Sequence, residues 1–184
     1  FQRNYEGDRL VRNEVVPGAG WVLAGEGIPT RKFDGTCAAV RGGKLYKRYD
    51  AKQGKTPPMG FEPAQEPDPV TGHWPGWLPI GDGPDDKWFR QAWEATGDPE
   101  KPTGRDIGLP DGTYELCGPK VQGNPEGFSH HVLVQHGVEK LDAPYHYQGI
   151  KDYLSHNNIE GIVWHHPDGR MVKIKTKDFG LKRK

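Results

Sequence analysis

The stretch "RKFDGT", residues 31–36, sets a lysine two residues before an Asp-Gly corner. Strand-like sequence lies on either side of it. "WVLAGEG" (21–27) comes before, and "GTCAAVRGGKLYKRYD" (35–50) after, the second reading as a hairpin that turns at Gly42-Gly43. A lysine at such a corner is ordinarily a solvated charge. Whether Lys32 is more than that depends on the partners the rest of the chain supplies.

Those partners sit on short alternating segments. "TYELCG" (113–118) carries Glu115, and in "IEGIVW" (159–164) Glu160 precedes an apolar run. In "MVKIKTK" (171–177) Lys173 and Lys175 are two apart, which puts both side chains on one face of a strand. Any one segment alone reads as a half-exposed strand. Together they supply an amine nucleophile, two carboxylates and a cation pair.

Composition bounds what this set can belong to. The chain has 184 residues, which suits a single domain with an elaborated loop, and 33% apolar residues, enough for one core. The 25 basic and 25 acidic residues cancel, so a nucleic-acid surface has to be a local patch rather than a global field. No run of apolar residues is long enough to span a membrane, and no secretory leader is visible. Two cysteines, Cys37 and Cys117, make no disulfide framework; free thiols in a reducing cytoplasm are expected. The His130-His131 and His165-His166 pairs do not suit zinc, because adjacent strand residues point to opposite faces.

From Ala51 to Pro84 the chain holds eight prolines and little periodicity, which predicts a long irregular insertion. "DDKWFRQAWEATG" (85–97) reads as a short amphipathic helix closed by Gly97, and "APYHYQGIKDYLSHNN" (143–158) as a second, with Tyr147, Ile150, Tyr153 and Leu154 on one face. "GTYELCGPKVQ" (112–122), "HHVLVQHG" (130–137), "EGIVWHH" (160–166) and "RMVKIKT" (170–176) read as strands, the last two joined by a "PDG" turn. Strand clusters with intervening helices predict an α+β fold of mostly antiparallel sheets with flanking helices.

Taken in order, "KFDG" (32–35), "YKRY" (46–49), "ELCG" (115–118), "EGIVW" (160–164) and "VKIK" (172–175) resemble the motifs of the covalent nucleotidyltransferases: ATP-dependent polynucleotide ligases and GTP-dependent capping enzymes. The longer string "WVLAGEGIPTRKFDGTCAAV" (21–40) is similar to the 5′-3′ RNA ligase family typified by vertebrate RNA ligase 1.

The resemblance implies a nucleotidyltransferase (adenylation) domain of ATP-grasp-like type over residues 1–184, with the insertion at about 51–84. It implies an ATP-dependent RNA ligase that forms a lysyl-AMP at Lys32 and seals RNA 5′-phosphate to 3′-hydroxyl ends. Lys173 and Lys175 would be catalytic and would grip the α-phosphate; Asp34 and Gly35 would form the corner that approaches the nucleotide. Arg48 and Glu115 would contact the ribose, and Glu160 would hold a divalent metal, Mg²⁺, with Mn²⁺ as the alternative ion. Arg31 is grouped with the nucleotide-binding residues by its place beside the nucleophile, although strand alternation turns it to the other face, toward a structural or RNA-facing role. A monomer working in the cytoplasm on RNA and ATP, away from membranes, is expected.

Several assignments stay open. Phe128, His131 and His136 are the candidate rings for adenine. Glu26 either reaches the site or is an exposed loop residue. The chain ends nine residues after Lys175, at "DFGLKRK", so no C-terminal oligonucleotide-binding barrel is expected. RNA would then be gripped by the basic tail (Lys177, Lys182, Arg183, Lys184) or by the insertion through Lys52, Lys55, Trp74 and Trp77. The alternatives are a non-catalytic nucleotide- or RNA-binding module of the same fold, a capping guanylyltransferase, or a DNA ligase.

Overall fold

The structure, a computed structural model, describes residues 1–52, 54–96 and 109–183. Gly97, expected to close the first long helix, and Lys184 of the basic tail lie outside these. The fold is α+β with antiparallel sheets, and the chain divides into two compact units, Phe1–Phe33 with His136–Lys184, and Asp34–Gln135. Among the described residues no helix is long and apolar enough to cross a membrane.

The first unit is built on a three-stranded sheet. Strand β1 (Ile28–Lys32) pairs with β8 (Gly161–His165), which pairs with β9 (Met171–Lys175), all antiparallel. Alternation along "GIVWH" buries Ile162 and Trp164 on one face, where Ile174 lies opposite Ile162. Helix α3 (Tyr147–His156) covers that face with Ile150 and Leu154, each side chain lost to solvent contributing about 1.5–3 kcal/mol. Its N-cap is His146, whose Nδ1 accepts the Gly149 N–H at 3.1 Å.

"WVLAGEG" does not form a strand. Residues Gly20–Leu23 make a helical turn, α1, that puts Trp21 and Val22 into the same core. Adjacent strand residues face opposite sides, so only a helical turn buries both.

The second unit is a six-stranded antiparallel sheet. Its order is β4 (Glu62–Pro63), β5 (Trp74–Pro79), β3 (Lys44–Ala51), β2 (Thr36–Arg41), β6 (Gly112–Cys117), β7 (Val132–Gln135). The β2–β3 hairpin turns at Gly42-Gly43, both with positive φ, as that sequence requires. Helix α2 (Lys87–Ala95) buries Phe89 and Ala92 against Ala38, Val40, Leu45, Tyr114, Leu116 and Leu133 on one face. Residues 51–84, read as one irregular insertion, are not irregular throughout. They contribute β4 and β5, and β5 pairs with β3 over six residues. The prolines that masked this strand, Pro75 and Pro79, are its second and last residues.

Candidate functional site

In the first unit, register does what spacing cannot. Gly161 of β8 lies opposite Lys32 on one side and Lys175 on the other. The two lysines therefore flank a residue without a side chain, on the sheet face turned away from the core. A Cβ at Gly161 would lie 2.1 Å from the Ile174 carbonyl oxygen, so glycine is required for β9 to approach this closely. The preceding residue, Glu160, is buried. Its Oε2 accepts from Lys32 Nζ at 2.5 Å and its Oε1 from Lys175 Nζ at 2.6 Å. Lys32 Nζ also donates to the Phe33 carbonyl at 3.2 Å.

This arrangement brings three of the expected residues together, two amines on one carboxylate. Lys173 lies two residues along β9 on the same face as Lys175, opposite Val163, and is exposed. Arg31 is on the opposite face of β1, in the row of Ile162 and Ile174; it pairs with Glu139 at 3.3 Å and lies 4.5 Å over the Phe33 ring. Glu26 is engaged elsewhere, with His166 Nε2 at 2.8 Å.

Sequence reasoning missed the residues that hold the backbone in place. The Lys175 N–H donates to Asp178 Oδ2 at 2.9 Å, and Asp178 Oδ1 takes Arg3 at 2.6 Å. The Thr176 N–H donates to the Glu160 carbonyl at 2.7 Å, and its hydroxyl to that of Ile159 at 2.8 Å. Their one sequence signal is polar side chains directly after a strand, which any turn would also show.

Burial alone would push the Glu160 carboxyl up. Hydrogen bonds from Lys175 and Lys32, with their charges, outweigh it and hold the group below its ordinary value. A carboxyl depressed in the folded state stabilises the fold above its unfolded value, near 4.3, and loses that contribution as pH falls through the folded value. Glu160→Gln is therefore expected to cost about 1–3 kcal/mol at pH 7, a figure reduced by the solvent that reaches both lysines. The gap to wild type should close in acid. Urea melts at pH 7 and pH 3 check this; a gap that does not shrink would show that the carboxylate's charge is not what stabilises the site.

Mg²⁺ sites of this kind use one or two carboxylates and leave the remaining positions to water and substrate phosphates. Both Glu160 oxygens are taken by lysine amines, so a divalent cation could join this carboxylate only by displacing one of them.

The second unit carries the remaining expected residues. The Asp34 N–H donates to Glu126 Oε1 at 2.9 Å and the Gly35 N–H to Glu115 Oε1 at 3.0 Å, so two carboxylates clamp the corner after Phe33. A Cβ at Gly35 would lie 2.1 Å from the Leu116 carbonyl oxygen, which leaves room for glycine alone. Glu126 had no sequence signal beyond lying in a turn. Ala39 pairs with both Tyr46 and Thr113, so Arg48 and Glu115, each two residues further on, share one face and one level of this sheet. Arg48 is exposed, bonds Asp50 at 3.2 Å and lies 5.9 Å over the Trp77 ring.

One candidate ring is already used. His131 is buried and stacks on Trp88 at 4.6 Å. Its Nε2 accepts the Lys120 N–H at 3.2 Å, which leaves the proton on Nδ1, facing Gln91 Oε1 at 2.7 Å. Burial first, then the charges of His130 and Lys120, push its pKa down. His131 is thus a packed, neutral ring, whereas Phe128 and His136 stay half-buried. In the tail, Lys177 and Lys182 are exposed and Arg183 donates to the Asn158 carbonyl at 3.4 Å.

The sequence profile of the RNA ligase 1 family matches residues 107–184, a span that includes Glu115, Glu160, Lys173 and Lys175. The chain is 34% identical to RNA ligase 1 of Danio rerio over 60% of this chain and 42% of that protein. It is 32% identical to RNA ligase 1 of Mus musculus (60% and 41%) and 30% identical to that of Rattus norvegicus (60% and 42%). The chain is close to the vertebrate RNA ligase 1 family and spans about two fifths of the length of these relatives.

Proposed function

We propose that the chain is the adenylation part of an ATP-dependent RNA ligase, with the nucleotidyltransferase fold that its α+β, antiparallel architecture is compatible with. The observation that carries the reading is the Lys32–Glu160–Lys175 cluster, seated at the motif positions of a chain close to RNA ligase 1.

In this reading Lys32 Nζ attacks the α-phosphorus of ATP. An N–P bond forms, the bond from the α-phosphorus to the bridging oxygen breaks, pyrophosphate leaves with the electron pair, and the nitrogen passes its proton to solvent. Attack needs the amine's lone pair turned to phosphorus, whereas in the resting site Lys32 Nζ is turned to Glu160. Release of Lys32 from Glu160 is thus the first event, and the approaching triphosphate supplies competing partners for both lysines. Lys175, held in place through Asp178, and Lys173 beside it then balance the charge that develops on the α-phosphate. A divalent cation on Glu160, when bound, would neutralise phosphate charge. Arg48 and Glu115 remain the ribose contacts in this proposal, on the strength of the resemblance. AMP passes next to an RNA 5′-phosphate, and attack by a 3′-hydroxyl releases AMP and seals the strand.

The test is incubation with α-labelled ATP, or in parallel GTP, with Mg²⁺, followed by a denaturing gel. Label from ATP alone, and joining of 5′-phosphorylated RNA ends, is the expected result. Label from GTP alone would replace this reading with a capping guanylyltransferase, and equal joining of all-DNA ends would remove RNA as the substrate.

A further inference from the structure

The chemistry above uses nothing from the residues between β3 and β5, yet they build a second concave surface. Lys52, Lys55, Pro67, Asp68, Pro69 and Trp74 are among the residues that line a cavity of about 380 Å³. That is within the range of small-ligand pockets.

Its aromatic wall is rigid. Trp74 Nε1 donates to the Gln65 carbonyl at 2.9 Å, and the ring meets Phe61 edge-on at 5.2 Å, itself edge-on to Tyr49 at 5.9 Å. A Cβ at Gly76 would lie 2.3 Å from the Phe61 ring, so glycine there is what lets Phe61 lie against β5. The Lys55 N–H donates to the Lys52 carbonyl at 3.1 Å, which keeps the two lysines together, and both are exposed. Asp68 is the carboxylate among the described lining residues, and backbone engages one of its two oxygens. Asp68 Oδ1 accepts the N–H groups of Thr71 and Val70 at 2.7 and 2.9 Å. Trp77, the other tryptophan of this segment, is buried and has no part in the cavity.

The described lining thus presents two ammonium groups against one carboxylate, a net positive charge, beside one held indole, the chemistry that takes an anion joined to a flat ring. We propose that this pocket is a subsite for single-stranded RNA, in which one base stacks on Trp74 and the adjoining phosphates meet Lys52 and Lys55. The proposal rests on the reading of RNA as substrate. An acidic peptide would engage the lysines but leave the indole unused, so RNA is the better match.

The experiment is fluorescence anisotropy of a short single-stranded RNA with 5′-hydroxyl ends, which cannot accept AMP, against the full chain. Trp74→Ala is expected to weaken binding about ten- to a hundredfold, as loss of one stacked base does, and Trp74→Phe to retain most of it. Lys52→Ala with Lys55→Ala should reduce the log–log salt slope by about 1.4, two contacts at about 0.7 each for a single strand. A wild-type thermal melt verifies that each variant is folded. Should Trp74→Ala fail to fold, the doubly charge-reversed Lys52→Glu, Lys55→Glu variant decides, with loss of binding expected. Wild-type affinity in the tryptophan or lysine variants would overturn the subsite. So would equal competition by a polyglutamate peptide, which would make the pocket a plain cation patch. Loss of AMP transfer in the wild-type chain sinks the ligase reading instead, and is read in a separate assay.

Discussion

Replacing Lys32 by alanine is expected to abolish covalent labelling from ATP altogether. Among the described residues few amines share its position. Lys32 and Lys175 are the two amines on Glu160, one to each oxygen. Removing Lys32 leaves Glu160 paired one-to-one with Lys175, so the buried carboxylate keeps a partner and the fold loses no more than about 1 kcal/mol. Lys32→Arg retains a charge for Glu160 but presents a guanidinium that stays protonated, and it should be equally inactive. Label in the wild type is expected at Lys32 alone, mapped by mass spectrometry of the digested protein. Label on the alanine variant, at Lys175 above all, would reassign the nucleophile to the other side of Gly161.

Lys175→Ala and Lys173→Ala are each expected to slow nucleotidyl transfer about a hundredfold, the usual loss when one transition-state donor is removed. Their surroundings differ, and so should their signatures. Lys175 is tied to Glu160 and its backbone to Asp178, so its removal also unpins the carboxylate. Lys173 is exposed two residues away and should act on the bound phosphate alone. If the pair works as a unit, the double variant will fall well short of the product of the single losses. Single-turnover label formation measures all three. A wild-type rate in both single variants would make "VKIK" an ordinary half-exposed strand.

Local pattern carried much of this molecule. Two hairpins, β2–β3 and β8–β9, were legible, because Gly42-Gly43 and Pro167-Asp168-Gly169 each lie between alternating runs. Helix α3 was legible from Tyr147, Ile150, Tyr153 and Leu154, and helix α2 from Trp88, Phe89, Ala92 and Trp93, since a period of 3.6 shows within a dozen residues. The residue types of the candidate site were legible too, as motifs in order.

Other features depended on distant partners. The helical turn at Trp21 and Val22 exists because both side chains enter a core made by Ile150, Ile162 and Trp164. Strand β5 exists because six residues of β3 pair with it, prolines included. Trp74 and Trp77 are three apart and look alike in sequence, yet one lines a cavity and the other is buried. By itself the sequence determined which side chains a transfer site would have available. The tertiary structure decided that Lys32 and Lys175 face each other across Gly161 with Glu160 between their amines. The reason is register: a strand's alternation says which residues share a face, but pairing of residue 32 with 161, and of 161 with 175, is set by the burial of Ile162, Trp164 and Ile174 on the opposite face, where a slip of one residue would turn every one of them to the wrong side.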